Sequence, residues 1–380
     1  MVPVGRAARQ DVTPRQGDEN LAMSVGAGPP TAAGAVTAAS PAGVDIAPGL
    51  ARAGLLGRRV GPHIPIREGL LRAAEHAQAL GASAIQVFTD DPKAWAARAE
   101  PMADVDAFRA LLEAADIRLL VHASYLVNLA SPDPAVHARG IERMRREMAA
   151  AAALGAHAVT VHVGSHRGAG VALGVDLAAE AIARILEPGD GDHQGTQAPR
   201  LVLEASAGQG YSLGVSIEEL AAIMEAAARR DVDLARLGVC LDTAPLWAAG
   251  YAMDDPLVID ALLTDVDTSM GADALAVIHL NDSRAGRASR QDRHEHLGDG
   301  RIGAQGLGYL LRHPRLLRVP FLLETPDMEA GWDALDMARV RAFLSHEWAA
   351  GRPLVASHLV PATGEGGART HIPGSAPEPA

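Results

Sequence analysis

Seven residues that commonly bind metal ions stand at or near the ends of separate apolar runs. They are four histidines and three carboxylates: His63, His122, His162, Glu204, Asp242, His279 and Glu324. Clustered carboxylates repel one another and become protonated unless cations or bases neutralise them. Imidazoles and carboxylates without thiolates suit zinc, manganese or iron. Since there are more than four ligands, the pattern predicts more than one ion, with a shared carboxylate such as Glu204 bridging two of them.

A second group of such residues lies in "SRQDRHEHLGDGRIG", residues 289–303. Asp292, His294 and His296 alternate, and an extended segment places alternate side chains on one side. We therefore expect these three side chains to face the same pocket. The competing interpretation is a charged surface loop that carries histidines by chance.

The elements that must position these residues alternate between short apolar runs and alanine-rich helical stretches. The clearest helix is predicted at 135–155, ending on Gly155. The eight apolar runs are residues 59–64, 84–88, 119–123, 158–164, 201–206, 238–243, 275–282 and 320–325. Near-continuous apolar strands are typical of parallel sheets that are buried on both faces.

Eight such units predict an α/β protein of the (β/α)8 TIM barrel class. The carboxyl ends of all the strands then form one face, which hosts the active site, so the histidines and carboxylates would surround one pocket. The structural competitor is a doubly wound open sheet. No G-x-G-x-x-G motif follows the first run to favour that fold.

Composition predicts one folded domain between two loose extensions. Residues 1–57 are rich in Ala, Gly, Pro and Ser and predict a disordered low-complexity arm, residues 58–350 form the barrel, and 351–380 form a loose C-terminal tail. The single cysteine, Cys240, excludes an internal disulfide, and no uncharged apolar run reaches about 18 residues. We therefore expect a cytoplasmic protein with no membrane partner. We also expect a monomer.

The formal net charge of −12 limits how the protein could bind nucleic acid. It argues against a protein that binds mainly through a basic patch. A nucleic-acid enzyme stays compatible with this charge, because bound divalent cations reverse the local sign.

Seven stretches together resemble the endonuclease IV family of apurinic/apyrimidinic endonucleases. They occur in the family's order and spacing over residues 59–345: "HASYLVNLASP", "VHVGSH", "LEASAGQG", "GVCLDT", "IHLNDS", "DRHEHLGDGRIG" and "LLETPD". The resemblance implies a barrel of the xylose isomerase-like superfamily with three zinc ions. It also implies a zinc-dependent phosphodiesterase of DNA repair that cleaves double-stranded DNA on the 5′ side of abasic sites and leaves a 3′-hydroxyl.

The resemblance also implies which residues hold the ions. His122 and His162 would hold the first ion, with Glu204 bridging to the second. The remaining ligands would be Asp242, His279 and Glu324 for the second ion, and Asp292 and His294 for the third. The catalytic carboxylates would be Glu204, Asp242 and Glu324, which anchor metal and orient the nucleophilic water.

Four residues are expected to contact the DNA. Tyr125 and Leu126 match the family loop that intrudes into the duplex at the lesion, and Lys93 in "FTDDPKAW" lies in another DNA-contacting loop. His63, at the end of the first run, is the fourth. Asp282 and Ser165 are predicted to hold the second ring nitrogens of the metal-binding imidazoles.

Two positions depart from the family pattern. Pro245 stands where the family has the histidine that completes the third zinc site, and Ala205 replaces an asparagine. Two zinc sites therefore look complete, with manganese as the alternative ion, while the third keeps only two ligands. His296 could replace the missing histidine, water could fill the gap, or the third site could be empty.

Two other functions compete with the nuclease. The quartet Glu204, Asp242, His279 and Glu324 also resembles the single-metal site of sugar isomerases and epimerases in the xylose isomerase-like barrels. A barrel that binds damaged DNA without cutting it is the other alternative. The number of bound ions distinguishes the isomerase from the nuclease, because an isomerase needs one ion and the nuclease needs two or three.

Overall fold

A computed structural model describes residues 54–96, 101–187 and 198–345 of the chain. The predicted N-terminal arm lies outside the described residues except for its last four, 54–57. The predicted C-terminal tail and the end of the predicted barrel, at residue 350, also lie outside them.

The strands of the described chain are β1 Val60–Pro62, β2 Ala84–Phe88, β3 Arg118–His122, β4 Ala158–His162, β5 Arg200–Glu204, β6 Leu237–Asp242, β7 Leu275–His279, β8 Asp282–Ser283, β9 His294–Glu295 and β10 Phe321–Leu323. Eight of them form one parallel sheet, in the order β1-β10-β7-β6-β5-β4-β3-β2. The two ends of the sheet meet where His63 and Gln86 form a parallel bridge and the Ile64 N–H donates to the Gln86 carbonyl at 2.7 Å. The sheet is therefore a barrel, and the doubly wound alternative is wrong.

Helices surround the strands in the predicted alternation. In the described chain they are α1 Leu70–Ala79, α2 Val105–Ala114, α3 Pro134–Ala153, α4 Val171–Leu186, α5 Ile217–Ala228, α6 Thr243–Ala249, α7 Pro256–Met270, α8 Gly303–Arg312 and α9 Trp332–Leu344. The predicted (β/α)8 class is confirmed. None of these helices has the length and apolar character that crossing a membrane requires.

Helix α3 shows how local sequence fixes an element. The Asp133 carboxylate caps its first turn by accepting from the backbone N–H groups of Ala135 and Val136. Pro134 occupies the first turn, where its missing N–H leaves no partner unsatisfied. Beyond the last turn, Gly155 adopts φ +75°, which ends the helix close to the predicted residue.

A ring of inward apolar side chains fills the middle of the barrel. Its members are Ala84, Leu120, Ala158, Val202, Cys240, Val277 and Leu322. Strand β1 has Gly61 instead of a side chain, because a Cβ there would lie 1.8 Å from the Ala84 carbonyl oxygen. The ring closes the barrel below the carboxyl ends of the strands.

The next inward position on each strand lies two residues further on, because side chains alternate between faces. That layer is polar: Gln86, His122, Thr160, Glu204, Asp242, His279 and Glu324. Strand register places Asp242 opposite His279 in this layer. It also places His122 and Glu204 opposite Phe88 and His162, the next inward residues of β2 and β4. The predicted convergence at one mouth therefore follows from the pleat and the register.

A short antiparallel ladder folds the segment after β7 back over this mouth. In it β8 pairs with β9, with Asp282 opposite Glu295 and Ser283 opposite His294. The buried Asp282 carboxylate accepts backbone N–H groups from Gly298, Gly300, Ile302 and Gly303 at 2.9–3.3 Å. Asp282 therefore organises the loop backbone and does not hold an imidazole, so that prediction is wrong.

Candidate metal centre

The carboxylate of Glu204 lies between three imidazoles at the end of β5. Its Oε1 is 2.7 Å from Nδ1 of His279. Its Oε2 is 3.1 Å from Nε2 of His122 and 3.1 Å from Nδ1 of His162. One carboxylate thus contacts ligand groups on both sides with its two oxygens, which is the arrangement that a bridging ligand needs.

A second group of ligand atoms surrounds His279, which is fully buried. Its Nδ1 lies 3.2 Å from Oε2 of Glu324 and 3.7 Å from Oδ2 of Asp242. One ligand atom from each of Glu204, Asp242, His279 and Glu324 lies within 4.8 Å of the others, and the same holds for His122, His162 and Glu204. The structure therefore brings both predicted ligand sets together.

Three imidazoles have one ring nitrogen occupied by a hydrogen-bond acceptor. Nδ1 of His122 donates to the Ala123 carbonyl at 2.7 Å, and Nδ1 of His294 donates to the Glu324 carbonyl at 2.9 Å. Nε2 of His279 donates to Oε1 of Gln86 at 3.1 Å. In the neutral ring the other nitrogen then presents a lone pair to the carboxylates, where a cation would bind.

Sequence reasoning missed the two amides that organise this layer. Nε2 of Gln86 donates to Oε1 of Glu324 at 2.5 Å and to Nδ1 of His63 at 3.1 Å. Nδ2 of Asn281 donates to Oδ2 of Asp242 at 2.9 Å, while its Oδ1 accepts the Glu324 N–H at 2.8 Å. Each amide stands two residues after an inward-facing residue. This two-residue spacing could have indicated from the sequence that the amides also face the pocket.

Ser165, the other residue predicted to support an imidazole, contacts backbone and an amide instead. Its Oγ accepts the Arg167 N–H at 3.2 Å, and its own N–H donates to Oδ1 of Asn128 at 2.9 Å. The outward ring nitrogens of His122, His294 and His279 bind two backbone carbonyls and Gln86, so no contact of the described chain supports the prediction for Ser165.

The charges of the cluster balance one another through shifted pKa values. Burial raises the pKa of Glu204, but His162, His279 and His122 outweigh burial and hold it well below its usual value. Burial lowers the pKa of His279, but Cys240, Glu324 and Glu204 raise it well above its usual value. Without a cation, imidazolium protons therefore neutralise the carboxylates.

The polar atoms of the site fit divalent cations. The ligand set contains imidazole nitrogens and carboxylate oxygens, which zinc and manganese accept. Among the described residues, two buried side-chain atoms near these ligands have no hydrogen-bond partner: Nε2 of His63 and Oγ1 of Thr160. Buried polar atoms without partners are rare in native proteins, so the site is chemically incomplete without a ligand.

Comparison with known proteins agrees with this geometry. The profile of the xylose isomerase-like TIM barrel family matches residues 74–344. A "Probable endonuclease 4" of Oleidesulfovibrio alaskensis is 39% identical over 270 residues, covering 70% of this chain and 88% of that protein. One of Halothermothrix orenii is 35% identical over 269 residues, covering 70% of this chain and 93% of that protein.

A solved structure gives the same result. Endonuclease IV from Thermus thermophilus is 35% identical, with a TM-score of 0.63, covering 75% of this chain and 98% of that one. The chain belongs to the endonuclease IV family. Relatives at this identity and coverage favour the nuclease over the sugar isomerase and epimerase alternative.

The third ligand group of this endonuclease IV family member is smaller than the first two. Nε2 of His294 lies 3.2 Å from Oδ1 of Asp292 and 3.4 Å from Oδ2 of Asp242. Pro245 is buried in the first turn of α6, and its ring offers no ligand atom. Ala205 is also buried and apolar. Asp242 is therefore the carboxylate that links the second group to the third.

His296 does not replace the missing histidine. Its Nδ1 lies 2.8 Å from Oδ2 of Asp336, and its ring stacks on Trp332 of α9 at 4.1 Å. The expectation that Asp292, His294 and His296 face one pocket is wrong, because β9 ends at Glu295 and the alternation ends with it.

The residues predicted to contact DNA surround the metal ligands. Tyr125 is 52% exposed, and its ring centroid lies 5.7 Å from that of His122 and 6.1 Å from that of His162. Leu126 follows it half-buried, and Lys93 is exposed on the neighbouring loop. His63 lies deeper, against Phe88 at 4.3 Å. Burial and the nearby carboxylates raise the pKa of Tyr125, so its hydroxyl keeps its proton.

Proposed function

We propose that this chain is a metal-dependent endonuclease that cleaves double-stranded DNA on the 5′ side of abasic sites and leaves a 3′-hydroxyl. The observation that carries the proposal is the contact of Glu204 with His122, His162 and His279 at the open end of the barrel. We also propose that the chain acts as a monomer.

We assign the first cation to His122, His162 and Glu204, and the second to Glu204, Asp242, His279 and Glu324. Asp292 and His294 would hold a third. Zinc is the ion that this donor set favours, and manganese is the alternative. Since Pro245 supplies no ligand, the third position should bind more weakly than the other two.

Bound divalent cations would supply Lewis acidity that neutralises negative charge on the phosphodiester as it is cleaved. The carboxylates of Glu204, Asp242 and Glu324 act in this scheme as anchors whose free lone pairs can orient water. Gln86 and Asn281 hold two of these carboxylates in place through the hydrogen bonds at 2.5 and 2.9 Å.

Exposed cations lie at the rim of the mouth although the whole chain is acidic. Six exposed cations follow β2, β4 and β7: Lys93, Arg167, Arg284, Arg287, Arg290 and Arg293. Four of them are arginines spaced three residues apart in the loop that also carries Asp292 and His294. Phosphate groups of a duplex would meet these side chains before they meet the metal ligands.

Recognition of the lesion would depend on shape and not on base identity. Tyr125 and Leu126 project beside the metal ligands, where they would occupy the space that a missing base leaves in the duplex. A flipped abasic sugar costs less to extrude than a paired nucleotide, because it has no base to unstack. The phosphate on its 5′ side would then reach the ligand cluster.

The deciding experiment incubates the purified chain with a duplex that contains one synthetic abasic site, with zinc and with a chelator. Cleavage 5′ to the lesion, a polymerase-extendable 3′-hydroxyl, and loss of both with chelator are the expected results. Tight binding without nicking at normal metal content would instead identify the non-cutting binder. One ion per chain with isomerase activity and no nicking would identify the sugar enzyme.

A further inference from the structure

The two loops that carry Lys93 and Tyr125 are joined to a buried ion pair on α3. Arg143 and Glu147 stand one helical turn apart, and their side chains are 1% and 2% exposed. Nε of Arg143 donates to Oε1 of Glu147. Neither residue belongs to the metal ligands or to the predicted DNA contacts.

The side chain of Arg143 binds backbone carbonyls of the first loop, which carries Lys93. Its Nη1 donates to the carbonyls of Ala94 at 3.1 Å and Ala96 at 3.4 Å, and its Nη2 donates to that of Asp91 at 3.3 Å. These carbonyls belong to residues 89–96, which follow β2 and form neither helix nor strand. The planar guanidinium fork can serve several acceptors at fixed angles, which a lysine ammonium cannot reproduce.

Glu147 binds the second loop. The Ser124 N–H donates to both carboxylate oxygens of Glu147, at 3.3 and 3.1 Å. The loops are also bonded to each other, because the Ser124 hydroxyl and the Tyr125 N–H donate to the Pro92 carbonyl at 2.8 and 3.1 Å. The ion pair and both loops therefore form one connected hydrogen-bond network.

A buried ion pair is weak evidence of a stabilising role. Desolvating two charges costs several kcal/mol, and a well-packed apolar pair of similar volume is often equally or more stable. What an apolar pair cannot supply is the set of donors and acceptors that orients two irregular loops. The contacts of this pair therefore point to orientation and not to stability.

We propose that Arg143 and Glu147 are positioning residues that hold the Lys93 and Tyr125 loops as one unit beside the metal centre. The inference rests on the proposed function, since it assigns these loops to recognition of the abasic duplex. A lesion-reading loop that moves independently of the metal ligands would have to be ordered when the duplex binds, and that ordering would weaken binding.

The test replaces the pair by Arg143→Met with Glu147→Met and measures cleavage of the abasic duplex. We expect KM to rise roughly tenfold or more with a smaller change in kcat, which is the signature of lost binding interactions. Bound metal per chain should be unchanged, and amide hydrogen exchange of residues 89–96 should accelerate. The melting temperature should change little, since the loop groups left without partners offset the gain from removing two buried charges.

Two further proteins complete the design. Arg143→Lys keeps the charge but cannot donate to all three carbonyls. Its KM should therefore also rise, and amide hydrogen exchange of residues 89–96 should also accelerate. This variant tests the positioning role if the double variant does not fold. Glu225→Met with Arg229→Met removes an exposed ion pair of the same spacing, at 2.7 Å, and should behave as wild type.

The outcomes separate this inference from the proposed function. Wild-type KM and loop exchange in a folded Arg143 variant, with an active parent, would overturn the positioning role alone. Loss of kcat together with bound metal would also overturn it, because the pair would then support the metal centre. A parent chain that never cuts abasic DNA would overturn the proposed function, while the exchange measurement would still report on the loops.

Discussion

At the scale of single residues, Gln86 decides which nitrogen of His279 faces the carboxylates. Its amide accepts from Nε2 of His279 at 3.1 Å and donates to Glu324 at 2.5 Å. Gln86→Met keeps the volume and removes both bonds together with the one to His63, so the His279 imidazole can rotate and change its tautomer. We expect metal affinity to fall about 10–100-fold, as for other partners of metal ligands.

A chromogenic zinc chelator in competition with the protein would measure that loss. The control is Gln78→Met on α1, which removes one half-buried hydrogen bond to the Leu111 carbonyl. Equal affinities of the parent and the Gln86 variant would show that the hydrogen bonds do not tune the site.

Pro245 predicts how the third ligand group can be completed. Asp292 and His294 remain beside Asp242, and a histidine at 245 would add the donor that proline lacks. Pro245→His should raise tightly bound metal by about one ion per chain, since a third protein ligand usually creates a stable site. Pro245→Ala is the control, and unchanged metal content by mass spectrometry in the histidine variant would refute this account of the site.

Residue type explains which parts of the site could be predicted. The histidines and carboxylates at strand ends could be found because each stands in phase at the end of an apolar run. Gln86 and Asn281 are amides, which are rarely metal ligands. Only their two-residue spacing from other inward-facing residues indicates that they face the pocket. His296 was misassigned because alternation holds only while the chain stays extended, and β9 contains only two residues.

At the scale of elements, the stability of α3 should depend on the residue that caps its first turn. This turn follows the loop that carries Tyr125. The Asp133 carboxylate satisfies two N–H groups there, at 2.8 and 3.3 Å. Asp133→Ala should lower the free energy of unfolding by about 1 kcal/mol. Urea denaturation measures the change, and exposed Glu142→Ala on the same helix should stay within about 0.5 kcal/mol of wild type. Equal losses in both variants would contradict the capping role.

The barrel strands could be predicted because each is a nearly continuous apolar run, buried on both faces. The ladder of β8 and β9 could not, since two-residue strands carry no periodicity. It is held by contacts between distant residues, above all the backbone N–H groups that Asp282 accepts over a span of 21 residues. Such loop geometry depends on tertiary hydrogen bonds that a local pattern does not reveal.

At the scale of the whole molecule, metal binding should be coupled to proton release. Burial lowers the pKa of His294, but Asp242 and Asp292 outweigh burial and raise it to about 10. Since this pKa and that of His279 are raised, both rings are protonated at pH 7 without metal, and zinc requires them neutral. Affinity for zinc should therefore increase as pH rises from about 6 to about 8.

Calorimetry in buffers of different ionisation enthalpy would count the released protons. The expected sign is release of at least about one proton per chain at pH 7. Zinc binding with no net proton exchange, or affinity that falls as pH rises, would show that the metal-free cluster is held together by something other than imidazolium–carboxylate pairs.

The distribution of charge predicts how the molecule meets DNA. A net charge of −12 repels the duplex at long range, while the exposed arginines after β7 attract phosphates at the mouth. Binding of undamaged duplex should therefore be weak and fall steeply with salt.

Arg287→Gln should reduce the slope of log K against log salt by about 0.9 if that side chain neutralises one phosphate. Arg72→Gln, on α1 and paired with Glu75 at 2.8 Å, should leave the slope unchanged. Fluorescence anisotropy over a salt series measures both slopes, and an unchanged slope for Arg287→Gln would mean that this side chain neutralises no phosphate.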